Sequence, residues 1–279
     1  MRIAVVTDME GVAGLLNFKD WCMPGGRYYE VGRRLLTEET NAAVRGFFDA
    51  GADEVVIIDG HGEGGVDPLL LDERALYSRG WAHPYRFGLE EGFDAIAWVG
   101  QHAKAGTVRS HLAHTCSFHM LERRINGISV GEPGYAAMVA GAYGTSAIFA
   151  SGERALAEEM RVLQLHIHTV EVKHGVTPDN GADCTAEQYE WHNRGAVHLH
   201  HNVACRRIYE GAKAALLDFT QNPDRFPPLR VAPPYTLETW YRAHGDRPPY
   251  KTVQRHPSDL ADLNRMPEEK FEFGSYAMP

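Results

Sequence analysis

Three short apolar runs in this chain each stop abruptly at an acid or an imidazole. Residues 3–7 end at Asp8-Met9-Glu10-Gly11, residues 54–58 at Asp59-Gly60-His61-Gly62, and residues 95–99 at Gly100-Gln101-His102. Runs of this length, rich in Val and Ile, read as buried strands. Between the first two, residues 27–50 carry Val31, Leu35, Ala42, Ala43 and Phe47 at helical spacing among polar Arg33, Arg34, Glu38 and Glu39, with Gly51 placed to stop the helix. Strand, helix, strand is a βαβ unit, and its two strands should run parallel.

The same order returns downstream. Asn126-Gly127 is a hairpin signal, Gly131-Glu132-Pro133-Gly134 leads into a helix over 135–142, and a strand over 146–150 precedes a helix over 155–163. The expectation is an α/β three-layer sandwich with a mostly parallel central sheet. Beyond about residue 174 only one element stands out, a helix over 202–219 with Val203, Ile208, Ala212 and Leu216 on one face. Pro223, Pro227, Pro228, Pro233 and Pro234 then suggest an irregular C-terminal extension. The reading is one elaborated domain over 1–279, with its core in 1–150 and entrance or oligomer contacts in 174–279.

Composition narrows the function. With 44% hydrophobic residues among 279, the chain has ample material for a core. A net charge of -9 argues against a nucleic-acid groove. No stretch approaches a membrane span, so no membrane partner is expected. Cys22, Cys116, Cys184 and Cys205 are widely spaced and form no CxxC pair, which disfavours a disulfide framework or a cysteine zinc site and fits a reducing cytoplasm. The 15 histidines are many for this length, and histidine is the commonest metal ligand.

In open α/β sheets ligands bind beyond the carboxyl ends of the strands. Asp8, Glu10, Asp59, His61 and His102 stand there, and Glu132 opens the loop before the 135–142 helix. Each alone has an ordinary explanation: Asp8 as a helix cap, His61 in a tight Gly-His-Gly turn, Glu132 as a turn acid. Together, carboxylates and imidazoles suit zinc, and the set exceeds the needs of one tetrahedral ion. It fits two zinc ions about 3.5–4 Å apart, which activate a shared water and polarise a carbonyl. Asp59 is placed behind these ligands, able to orient His61 or a neighbour.

At this point the chain resembles the D-aminopeptidases associated with dipeptide transport. The likeness is carried in order by Asp8-Met9-Glu10-Gly11, Leu36-Thr37-Glu38-Glu39-Thr40-Asn41, Asp59-Gly60-His61-Gly62, Gly100-Gln101-His102-Ala103, Ala113-His114-Thr115 and Val130-Gly131-Glu132-Pro133-Gly134. The resemblance implies a self-compartmentalising dinuclear zinc peptidase that removes N-terminal D-residues from short peptides. It implies that Asp8 bridges the metals, that Glu10, His61, His102 and Glu132 complete the coordination, and that His114 is the catalytic histidine. It also implies a ring-shaped homo-oligomer.

His111 and His119 flank His114 as competitors, with a structural role expected for His119 on a strand. His198, His200 and His201 are expected at a surface or subunit contact, and His83, His166, His168 and His174 in structural or solvent-facing places. Glu38 and Glu39 are expected on the solvated face of their helix or in an ion pair. Two rival functions share the metal cluster: a dinuclear hydrolase of another amide or a phosphate ester, and a non-catalytic protein whose metal stabilises an oligomer.

Overall fold

The computed structural model describes residues 1–80 and 86–272, so the expectation for His83 lies outside the described residues. The elements are β1 (Arg2–Thr7), α1 (Phe18–Trp21), α2 (Tyr29–Asp49), β2 (Glu54–Asp59), β3 (Leu76–Ser78), β4 (Ala95–Gln101), β5 (Met120–Ile125) and β6 (Ile128–Ser129). They continue with α3 (Glu132–Ala142), β7 (Ser146–Glu153), α4 (Arg154–Leu163), β8 (His168–Gly175), α5 (Ala186–His192), β9 (Ala196–His198) and α6 (His201–Gln221). The last are β10 (Tyr235–Tyr241), β11 (Tyr250–His256) and β12 (Glu269–Glu272).

The central sheet has seven strands in the order β3-β2-β1-β4-β7-β8-β9, all parallel neighbours except the antiparallel β8–β9 pair. Because successive strand residues face opposite sides, one set of positions builds each core. Ile3, Val5, Val55, Ile57, Ala95, Ala97 and Val99 pack under α2 and α6. Ala4, Val6, Val56, Ile58, Ile96 and Trp98 pack against α3, α4 and a second sheet. That is the three-layer arrangement expected from the alternation of elements.

Two expectations about α2 need correction. Its buried stripe runs through Gly32, Leu36, Glu39, Thr40, Ala43 and Phe47, which leaves Val31 exposed on the flank. Glu39, expected in solvent, is fully buried and accepts the Ala13 N–H at 3.0 Å, whereas Glu38 lies outside and pairs with His201 at 2.8 Å.

The C-terminal region is not irregular. β10, β11 and β12 join β5 and β6 in a five-stranded antiparallel sheet ordered β12-β11-β10-β5-β6. The prolines lie before β10, in the connection from α6, and therefore cost the ladder no donor. The hairpin between β5 and β6 turns on Asn126 and Gly127 with φ of 49° and 81°, the paired left-handed conformation that an Asn-Gly turn supplies. His119 precedes β5 rather than lying on it, and its ring meets that of His244 at 4.3 Å.

Candidate metal centre

The carboxyl end of β1 turns sharply across the end of β4. The Asp8 N–H donates to the Val99 carbonyl at 3.0 Å and the Gly11 N–H to the Gly100 carbonyl at 2.7 Å. This fold-over depends on two glycines. A Cβ on Gly11 would stand 1.9 Å from the Gln101 carbonyl oxygen, and one on Gly100, at φ +74°, would stand 2.1 Å from the Asp8 carbonyl oxygen. The turn swings Asp8 and Glu10 under the sheet edge, both buried.

His61 arrives on the loop after β2, which is held from two sides. The Asp59 carboxylate accepts the N–H groups of Gly65 and Val66 and the Tyr77 hydroxyl, while Arg79 Nη1 donates to the carbonyls of Asp59 and His61 at 2.9 Å each. Asp59 thus braces the backbone that carries His61 rather than its ring. His102 follows β4. Glu132 is the first residue of α3, and its Oε1 accepts the Cys116 N–H at 2.7 Å. His114 comes from the 110–116 loop.

These side chains form two donor groups. Ligand atoms of Asp8, Glu10 and His61 all lie within 4.8 Å of one another, and so do those of His102, His114 and Glu132. Asp8 joins the groups, its Oδ2 standing 3.2 Å from His102 Nε2. His102 and His114 stack with ring centroids 4.1 Å apart, and Phe118 closes over His114 at 4.7 Å. His111 is elsewhere: it is buried against His198 at 5.3 Å, and His198 Nδ1 accepts the Gly14 N–H. His200 caps α6.

The tautomers follow from the partners. His102 Nδ1 lies 2.9 Å from the Ala103 carbonyl and His114 Nδ1 2.8 Å from the Leu112 carbonyl. A carbonyl only accepts, so both Nδ1 atoms carry hydrogen and each neutral ring turns a bare Nε2 inward. His102 Nε2 then faces two acceptors, Asp8 Oδ2 and, at 3.7 Å, Glu132 Oε1. Lone pairs facing lone pairs in a buried site are costly, and the conflict is removed either by a proton on His102 Nε2, which the Asp8 carboxylate favours, or by a metal cation between the ligands. Glu10 Oε2 and His61 Nδ1 are likewise buried without a hydrogen-bond partner. The donor set of nitrogen and carboxylate oxygen is one that zinc takes.

Charge tells the same story. Burial, with the nearby Glu10 carboxylate, pushes Asp8 up to about 7. Burial also opposes ionisation of Glu10, but the adjacent His61 outweighs it and holds the Glu10 carboxyl well below its usual range. Burial would discharge His61, yet Glu10, with Nε2 3.4 Å from Oε1, raises it to about 9. Burial and the His102 neighbour lower His114. Protons thus stand in, imperfectly, for positive charge that the carboxylates demand.

Behind the centre lies a layer that the strand-end pattern did not single out. Lys173 of β8 is buried and hydrogen-bonds the Glu10 carbonyl, and Glu153 Oε1 accepts the His111 N–H at 2.8 Å. The signal available was a lysine and a glutamate inside otherwise buried strand segments, where an unpaired charge is costly.

A model of the D-aminopeptidase family, peptidase family M55, matches residues 1–247. The chain belongs to this family. A D-aminopeptidase of Bacillus subtilis (strain 168) is 31% identical over 184 residues, 63% of this chain and 65% of that protein, so the match spans just under two thirds of the relative. The solved structure of a Zn-dependent D-aminopeptidase from Bacillus subtilis, DppA, described as a self-compartmentalizing protease, superposes with a TM-score of 0.79 at 24% identity. It covers 95% of this chain and 94% of that one, and the two share a fold. Family membership accounts for the motif order, and the fold explains why those motifs converge.

Proposed function

We propose that this member of the D-aminopeptidase family is a zinc-dependent aminopeptidase releasing N-terminal D-residues from short peptides, with two zinc ions per chain. The observation that supports this reading is the convergence of Asp8, Glu10 and His61 with His102 and Glu132, the two groups joined through Asp8 and His114 standing beside the second. Asp8 would bridge the ions, with Glu10 and His61 on one side and His102 and Glu132 on the other. When bound, zinc supplies an activated water and polarises the scissile carbonyl.

The remaining work falls to this chain's own groups. The acidic surroundings of the centre would draw the amino end of the substrate towards it. His114, neutral and with Nε2 bare, takes a proton at the reacting face and returns it to the leaving amine. Phe18 and Phe118 flank its ring and limit water there. A solved structure of the same fold is described as a self-compartmentalizing protease, which supports a ring-shaped homo-oligomer for this chain. No disulfide joins cysteines among the described residues, and no helix there is long and apolar enough to cross a membrane; a cytoplasmic, single-domain enzyme fits both.

Metal analysis of the purified protein should find two zinc ions per chain, and a panel of D- and L-aminoacyl peptides should show preferential release of D-residues, with phosphate esters untouched. His114→Ala should retain zinc and lose about 10²–10⁴-fold in kcat. Loss of zinc together with activity would make His114 a ligand and remove it from proton transfer. Zinc-replete protein that cleaves no peptide defeats the reading.

A further inference from the structure

The peptide unit between Glu10 and Gly11 is gripped at both ends. Its N–H donates to the Gly100 carbonyl at 2.7 Å, and its carbonyl accepts from Lys173 Nζ of β8. The second grip comes from inside the protein, since Lys173 is only 3% exposed. Further along the same turn, Glu39 of α2 accepts the Ala13 N–H and His198 of β9 accepts the Gly14 N–H, each at 3.0 Å. Three side chains from three elements thus hold the turn that carries Asp8 and Glu10.

Lys173 lies in register with Glu153 on the neighbouring strand β7. Glu153 is also buried, and it holds the other loop of the centre, because its Oε1 accepts the His111 N–H at 2.8 Å, three residues before His114. The two cross-strand partners therefore brace opposite halves of the site, Lys173 the turn with Glu10 and Glu153 the loop with His114. Carrying charged groups into a sheet interior is costly, and apolar side chains of similar size would fill the same space without that cost. What an apolar side chain cannot do is donate to the Glu10 carbonyl.

We infer that Lys173 is a positioning residue for one of the two zinc positions, the one proposed for Glu10 and His61. This rests on the dinuclear reading above and deepens it by giving the two ions different supports. With Lys173 in place the 10–11 peptide is fixed at both ends, and Glu10 Oε1 stands 3.4 Å from His61 Nε2. Without it the peptide is held at its N–H, and Glu10 can swing about that point. The other ligands have separate anchors. The Asp8 N–H donates to the Val99 carbonyl, and Asp8 Oδ1 accepts the Met9 N–H at 2.9 Å. Arg79 holds the His61 carbonyl, the Ala103 carbonyl holds His102 Nδ1, and Glu132 is fixed in the first turn of α3. Loss of Lys173 should therefore weaken one ion and spare the other. Lys173 acts through Glu10 and takes no part in bond cleavage.

The test is a zinc titration of the full-length protein in competition with a chromophoric chelator, which resolves two dissociation constants. The phase that disappears in His61→Ala marks the Glu10–His61 position. Lys173→Met should weaken that same phase by about tenfold to a hundredfold, the range for an outer partner of a metal ligand, and leave the other phase unchanged. Lys173→Arg, which keeps a cationic donor, should recover part of the affinity. The unchanged phase serves as an internal control, since general damage to the fold would lower both. Should Lys173→Met fail to fold, Lys173→Gln, one bond shorter and still polar, makes the same comparison. Equal weakening of both phases overturns the inference and marks a purely structural lysine; so does a variant that binds both ions as wild type does. A wild type that binds fewer than two zinc ions defeats the dinuclear reading itself, and the inference falls with it.

Discussion

Glu39 shows how a single position can differ from its helical pattern. It sits on α2 between exposed Glu38 and buried Thr40, and burial pushes its carboxyl up to about 8 against the opposing effects of the Ala13 N–H and Lys173. His201 Nδ1 faces it at 3.8 Å. A carboxyl raised above its unfolded value of about 4.3 binds a proton in the folded state that the unfolded chain has released. Its contribution to stability is therefore complete below about pH 4, declines as pH rises, and is lost above about pH 8, on the order of 3–5 kcal/mol in all. Glu39→Gln keeps an oxygen for the Ala13 N–H and removes the titration. Urea unfolding at pH 5, 7 and 9 should show a shallower loss of stability in the variant than in wild type. Parallel pH profiles would mean that Glu39 is not the group that titrates.

At the scale of elements, the centre depends on how closely β1 and β4 approach at their carboxyl ends. Gly100 is in the left-handed region, and its Cα approaches the Asp8 backbone so nearly that no Cβ fits. Gly100→Ala should cost roughly 2–4 kcal/mol of stability, through strain and displacement of Asp8, and should lower bound zinc even in the fraction that folds. Thermal unfolding and zinc content check it together, and a variant with wild-type melting and full zinc would show that the approach is not needed. The strand-end reading brings Asp8, Glu10, His61 and His102 to one edge because parallel strands must all end on the same side, a rule that needs no side-chain detail, whereas Glu132 reaches that edge from the first turn of α3. The 18-residue gap from His114 to Glu132 was bridged only by family likeness, since a loop and a hairpin intervene and loops carry no period. Val31 was misplaced because 3.6-residue spacing fixes the width of a helical stripe but leaves its centre to packing. The second sheet was masked by prolines that fall in its lead-in. The alternation in β10 was present in Tyr235, Leu237 and Thr239, but a central Arg123 across from it reads as surface.

For the whole molecule, a ring assembly is the device that would restrict substrate length. A ring assembly of the kind proposed would exclude long chains at its entrance, far from the chemistry. Assembly must cover apolar surface, and this chain exposes Leu69, Val162, Leu165 and Trp191 at 92%, 86%, 77% and 61%. Val162 and Leu165 stand together at the end of α4, an apolar site suited to a contact between copies. Sedimentation should therefore report a mass many times 31.1 kDa, and Val162→Glu with Leu165→Glu should lower it. A monomeric wild type would remove the ring from this account. If the ring limits length, the dissociated variant should cleave long peptides as readily as dipeptides.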